Sequence, residues 1–231
     1  MKNLLFILTC LFFSSLFSSS QNVYKPGEFH DFYRSQKMQS GEWNRTLTES
    51  EIEGSPYLND DFITGSVYTT SKFQYQNIPL RYNIFNDNME FRTPDNQVLA
   101  IASPEIIERV EFGEYKMKYL PYLTAKKIKR GFFKELISGN VSLYAKPDIM
   151  YKKPEEPGAY KDAQPAKFIK KPDIYFIRLE QEAAQKINNK NELLQFFPQH
   201  QKEVAAFVKR NKIKTTKEES LVKLVNYYNS L

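Results

Sequence analysis

The chain is almost without cysteine and histidine. Its one cysteine, Cys10, lies in an apolar stretch at the start, and its two histidines, His30 and His200, stand far apart. Only eight glycines occur, and none belongs to a GxGxxG or phosphate-loop pattern. There is no HExxH, HxH or GxSxG spacing. These absences argue against zinc-hydrolase, nucleotide-binding and serine-elbow chemistry, and no cofactor or metal is expected. No run beyond the first twenty residues is long and apolar enough to span a bilayer.

The first twenty residues, MKNLLFILTCLFFSSLFSSS, combine a positive start at Lys2, a short apolar core from Leu4 to Phe17, and small residues at Ser18 and Ser20. That is the pattern of a secretory signal cleaved after Ser20. The apolar core is shorter than a spanning helix requires. Cys10 is followed by more apolar residues and preceded by Thr9, so lipidation is not expected. Cleavage removes the only cysteine, leaving 211 residues without disulfides or thiol chemistry. The expected location is periplasmic or outer-envelope-associated.

The formal charge of +6 falls to +5 when Lys2 leaves, which suits acidic partners such as phosphorylated headgroups or acidic glycans, although it also simply aids solubility. No nucleic-acid motif accompanies it. All fifteen tyrosines lie after residue 20. Tyrosine joins a large apolar ring to a polar tip, which suits half-exposed sheet faces and binding surfaces.

Five segments follow from the texture. Residues 1–20 are the signal; 21–55 form a polar arm carrying Tyr24, Phe29, Phe32, Tyr33 and Trp43; 56–152 alternate with period two; 153–172 are rich in Pro and Lys; 173–231 carry a strand and then helical periodicity. Within 56–152, IERVEFGEYKMKY predicts a hairpin with a type II′ turn at Gly113-Glu114, pairing Phe112 with Tyr115 and Val110 with Met117. FFKELISGNVSLYAK predicts another, turning near Gly139-Asn140 with Leu136 opposite Leu143. A two-residue loop at Asn86-Asp87 or Asp87-Asn88 places Ile78, Leu80, Tyr82, Ile84, Met89 and Phe91 on one buried face. Arg81, Asn83 and Glu90 fall on the other, too scattered to read as a site. Pro79 calls for an edge or a bulge in its strand. Three short helices follow: one capped by Asn189 with Glu192, one carrying Val204, Phe207 and Val208, and one starting at Thr216 with the stripe Leu221, Leu224, Val225 and Tyr228. The expected fold class is α+β: an antiparallel β-meander, sandwich-like or half-barrel, then a strand and about three short C-terminal helices.

Catalytic candidates are few. Asp60 and Asp61 are neighbours whose side chains point apart on a strand, and Glu105 and Glu108 flank one; neither pair makes a glycosidase site unaided. No catalytic residue is assigned. The candidate partner-binding residues are Trp43, Tyr115, Tyr119 and the basic cluster Lys126, Lys127, Lys129 and Arg130. The tyrosines on their strands serve equally as a core wall, and the basic cluster as a loop between strands or a headgroup-binding rim.

The stretches GSPYLNDDFITGSV, IPLRYNIFNDNMEF, GFFKELISGNVSLY and the terminal LVKLVNYYNSL resemble, in order and spacing, a group of exported Bacteroidota proteins of unknown function. The resemblance covers about residues 54–231. It implies an envelope location and a β-then-helix layout, and it carries no catalytic residues. The expected function is a non-enzymatic envelope protein that binds a macromolecular or amphipathic partner: an envelope protein, a glycan or a lipid. The alternatives are a carboxylate-dependent secreted hydrolase and a periplasmic carrier of an apolar ligand.

Overall fold

The computed structural model describes residues 23–24, 29, 52–125, 127–157, 162–197 and 199–231. The signal segment, His30, Trp43, Lys126 and most of the expected 21–55 arm lie outside the described residues. Eleven strands form one sheet: β1 (Val23–Tyr24), β2 (Ile63–Thr69), β3 (Gln74–Asn83), β4 (Asn88–Arg92), β5 (Val98–Ala100), β6 (Ile107–Phe112), β7 (Tyr115–Leu123), β8 (Ile128–Ile137), β9 (Val141–Lys152), β10 (Lys167–Leu179) and β11 (Gln185–Lys186). Helices α1 (Lys190–Gln195), α2 (Gln201–Arg210) and α3 (Glu218–Asn229) follow. The order across the sheet is β11-β10-β9-β8-β7-β6-β2-β3-β4-β5, all antiparallel, with β1 parallel beside β3. This curled meander with three short C-terminal helices is the α+β layout expected from the residue periods. Of the Pro/Lys-rich stretch 153–172, residues 167–172 belong to β10.

Turn chemistry explains the local registers. Gly113 has φ 56°, the positive angle that a type II′ turn demands at its first central residue, and Phe112 faces Tyr115 as Val110 faces Met117. In the β8–β9 hairpin, Lys134–Ala145 and Glu135–Tyr144 keep the expected register. A bulge then takes up Leu136, so that Ile137, not Leu136, meets Leu143. The β3–β4 loop has four residues instead of two, because Asn83 faces Asn88 and Tyr82 faces Met89. The slip is two positions from the first expected loop and four from the second, both even, so sidedness survives, and all six apolar residues of that face are buried. Pro79 lies between the stretches of β3 paired by β1 and by β4, so among the described strands only β2 faces it. Asn77, with φ 57°, takes the extra residue of a neighbouring bulge.

Two short segments return to the sheet and draw its curl together. Glu53 exchanges backbone hydrogen bonds with Ala166 and Phe168 at the start of β10, while Pro56 and Leu58 bond to Ile84 and Tyr82 at the end of β3. Ala184, just before β11, bonds to Pro121 and Leu123 of β7. The main core fills the curl with Val67, Leu80, Tyr82, Met89, Phe91, Val110, Met117 and Phe132. A smaller core of Leu120, Phe133, Tyr144, Phe176 and Ala184 occupies the opposite face of β7–β10. The helices cover the far end of β8–β10, burying Leu193, Val204, Phe207, Leu221, Leu224 and Val225 against Val141, Leu143 and Ile177.

Helix α1 has its expected cap: the Asn189 side chain accepts from Glu192 N–H, and the Glu192 carboxylate accepts from Asn189 Nδ2. Helix α3 starts at Glu218 behind Lys217, without the side-chain cap expected at Thr216.

The face opposite the buried stripe of β3 and β4 is also not what the residue pattern suggests. Arg81 and Glu90 are direct cross-strand partners, joined at 2.8 Å, and Asn83 Nδ2 donates to the same carboxylate. The Arg81 guanidinium lies 3.5 Å from the Tyr57 ring centroid and donates to the Asp60 carbonyl. Residues separated in sequence thus form one buried polar cluster under the 52–62 segment. Antiparallel pairing brings them together, which a one-dimensional pattern does not display.

Candidate functional site

The β7–β8 hairpin carries its charges in two different ways. Near its base, Lys116 and Lys118 both reach the Glu135 carboxylate at 2.5 Å. Burial pushes the Glu135 carboxyl up, but the two ammonium groups outweigh it and hold the group below the usual carboxylate range. Because the folded state holds this proton less tightly, the stabilisation is present above the ordinary carboxylate pKa and is lost as pH falls through the lowered value. Glu135→Gln should therefore lessen the drop in thermal midpoint between neutral and strongly acidic pH. A melting series across that range checks it, and an undiminished acid drop would refute the assignment.

At the tip the cations have no counter-charge among the described residues. Thr124 and Lys127 close the turn: the Thr124 hydroxyl donates to the Lys127 carbonyl at 2.6 Å and accepts from its N–H at 3.2 Å. Leu123 and Ile128 therefore face each other as the last cross-strand pair, and they are 47% and 62% exposed. Lys127, Lys129 and Arg130 are exposed beside them, and among the described residues no carboxylate lies within ion-pair distance of any of the three. An apolar pair at the end of a hairpin, beside cations that no described carboxylate engages, is matched to a surface with an anionic layer over an apolar one.

A fork in the sheet separates this hairpin from β9 and carries its end to the β10–β11 connection, where Leu123 N–H donates to the Ala184 carbonyl. Strands β8 and β9 pair only over Lys134–Ala145, Glu135–Tyr144 and Ile137–Leu143. Past that point two side chains take the place of the missing neighbour. Phe132 N–H donates to Asp87 Oδ1 at 3.1 Å, and the Phe132 carbonyl accepts from Lys146 Nζ at 3.1 Å. Asp87 and Lys146 are joined at 2.9 Å, and Tyr82 O–H donates to Asp87 Oδ1 at 2.7 Å. Gly131 leaves the room that this ion pair occupies, since a side chain there would meet both the Asp87 carboxylate and Lys146 Nζ.

The sequence-predicted candidates are only partly united. Tyr119 packs against Phe132 at 5.0 Å, with the Arg130 guanidinium 5.5 Å from its ring, so it belongs to the flank of the basic tip. Tyr115 sits at the other end of β7, against Phe112, about 26 Å from Leu123 at strand spacing. Trp43 and Lys126 lie outside the described residues. Leu123 and Ile128 were not among the candidates. The signal available was the pairing of apolar residues around a lysine-rich turn, LTAKKI.

Other chemistry is less well provided for. The most deeply buried carboxylates, Glu90 and Glu135, are both neutralised by cations. His200, at φ 58° before α2, has Glu203 3.9 Å away and lines an open groove of about 530 Å³ with Glu180 and Glu182. A groove of about 800 Å³ beside the tip runs between β7, β10, β11 and α1, lined by Tyr122, Phe176, Gln185, Asn188 and Phe196 among others. No described helix is long and apolar enough to cross a membrane. No protein-family model, curated protein or solved structure matches this chain.

Proposed function

We propose that this chain is an exported, non-enzymatic protein of the cell envelope that docks on an anionic lipid surface through the β7–β8 tip. The observation that carries the reading is the exposed Leu123–Ile128 pair set among Lys127, Lys129 and Arg130, none of them engaged by a described carboxylate. Cations draw the tip to acidic headgroups, and the two aliphatic side chains then leave water for the headgroup–acyl boundary. The leader-like residues 1–20 and the resemblance to exported Bacteroidota proteins support export through a cleaved signal to the periplasm or outer envelope. A carboxylate hydrolase finds less support, because the buried carboxylates are spent in ion pairs. A carrier needs a cavity behind Tyr115, Met117 and Tyr119, where Met117 is wholly buried among Val110, Phe112 and Phe132.

The test is sedimentation of the processed chain with vesicles of phosphatidylcholine alone or mixed with phosphatidylglycerol. Binding should require the anionic lipid and weaken with salt. At about 1 kcal/mol for each surface cation, Lys129→Ala/Arg130→Ala should bind about 30-fold more weakly with an unchanged melting temperature. Equal binding to neutral vesicles, or no loss in the double variant, overturns the reading.

A further inference from the structure

We infer that the groove beside the β7–β8 tip holds one acyl chain of an anionic lipid, whose head group is met by Lys129 and Lys186. This rests on the lipid-docking reading of the tip and adds to it a site for a single lipid molecule. The groove lies where the hairpin meets the β10–β11 connection: Leu123 N–H donates to the Ala184 carbonyl at 2.8 Å, and Ala184 N–H donates to the Pro121 carbonyl at 2.9 Å. Leu123 belongs both to the exposed pair of the tip and to the wall of the groove, so the two surfaces are continuous.

The wall has a large apolar share. Tyr122, Leu123, Phe176, Leu179 and Phe196 supply it, and the Tyr122 and Phe176 rings meet edge-on at 5.7 Å. The volume of about 800 Å³ falls within the roughly 300–1,000 Å³ common for small-ligand sites, which join apolar walls to a few placed polar groups. A run of methylenes suits such a wall, since each one that leaves water adds affinity.

Charge selects the head group. Each of the two touching rings has a lysine across its ladder: Tyr122 faces Lys129, and Phe176 faces Lys186. Directly opposed residues share one face of a sheet, so both ammonium groups stand beside the aromatic pair. Both lysines are exposed, and neither has a described carboxylate within ion-pair distance. Glu192 also lines the groove, but its carboxylate is taken up by Asn188 Nδ2 and Asn189 Nδ2, each donating at 2.7 Å. A neutral apolar ligand would leave the two lysines unused, and a free phosphate would leave the apolar wall in water. An anionic head on an acyl chain satisfies both.

The probe is lauroyl-lysophosphatidylglycerol, a single-chain anionic lipid, titrated into the processed chain below its micellar concentration and followed by calorimetry. Saturable one-to-one binding is expected. Glycerol phosphate, which lacks the chain, and lauroyl-lysophosphatidylcholine, which lacks the net charge, should each bind at least about tenfold more weakly. Lys186→Ala should bind the anionic probe about fivefold more weakly. Gln185→Trp sets a bulky ring in the groove and leaves every residue of the tip in place, so it should lose the monomeric lipid yet still sediment with phosphatidylglycerol vesicles. No saturable binding by the parent chain, equal binding of either control compound, or full binding by Gln185→Trp overturns the groove site. Vesicle binding that persists in those cases leaves the tip reading standing. Monomer binding by a chain that ignores vesicles supports the groove and overturns docking through the tip.

Discussion

Replacement of Glu90 by Ala is expected to cost about 3 kcal/mol and to lower the thermal midpoint by about 6–12 °C. Glu90 is 1% exposed and accepts from both Arg81 and Asn83. Removing it leaves a guanidinium half enclosed by Tyr57 and Phe62 without a counter-charge, and a fully buried amide without its acceptor. The cost of breaking such a pair comes mostly from the charge left behind, not from the worth of the pair. The double variant Arg81→Met/Glu90→Leu should therefore be clearly more stable than Glu90→Ala, although it changes more atoms. Urea unfolding of the three chains decides the matter: a double variant as unstable as the single one would show that packing, not charge, governs this site.

Asp87→Ala should be nearly as costly, at about 2–4 kcal/mol, because one carboxylate serves three donors. Tyr82 O–H, Phe132 N–H and Lys146 Nζ all converge on it. Burial first, and the Asp87 charge second, push the Tyr82 hydroxyl well above its ordinary range, so it remains a donor across the working pH range. Asp87→Asn keeps an acceptor for Phe132 and Tyr82 but loses the charge facing Lys146, and should fall between the wild type and Asp87→Ala. Gly131 supplies the decisive control. Gly131→Ala alone forces a methyl group into the carboxylate, whereas in the Asp87→Ala background the nearest obstacle is the end of the flexible Lys146 side chain. The two changes should therefore cost less together than the sum of each, read as a coupling in urea unfolding. Additive costs would mean that Gly131 does not hold the space for this ion pair.

Both changes also bear on the docking proposal. The Asp87–Lys146 pair stands where β8 and β9 part, so it lies at the root of the hairpin that carries Leu123 and Ile128. Losing it is expected to weaken vesicle binding without removing any residue of the β7–β8 tip, because a hairpin loosened at its root holds Leu123 and Ile128 less firmly in place.

Much of this fold is readable in one dimension, for a definite reason. Where an interaction is local, its residue types are decisive. Gly113 followed by Glu114 allows a positive φ only at the first position, and that alone sets the β6–β7 register. Asn189 and Glu192 exchange bonds across a single helical turn, and the stripes of α2 and α3 follow the helical period. The alternation from Ile78 to Phe91 likewise determines one buried face, and that result survives even a longer loop than expected, because sidedness repeats every two residues. The same rule left the exact register open.

The features proposed to matter for function depend on partners distant in sequence. The cluster of Arg81, Asn83 and Glu90 exists because two strands run antiparallel with a particular register. Asp87 and Lys146 meet across 59 positions, and they do so because β8 and β9 separate and leave the Phe132 backbone groups to be satisfied. The lysine-rich turn was visible as a basic cluster in the amino-acid order. That its cations lack described counter-charges and that Leu123 and Ile128 beside them stay in water were decided only when the sheet curled. Local sterics and hydrogen bonding are written in neighbouring residues, whereas exposure and charge compensation depend on what the rest of the chain brings alongside.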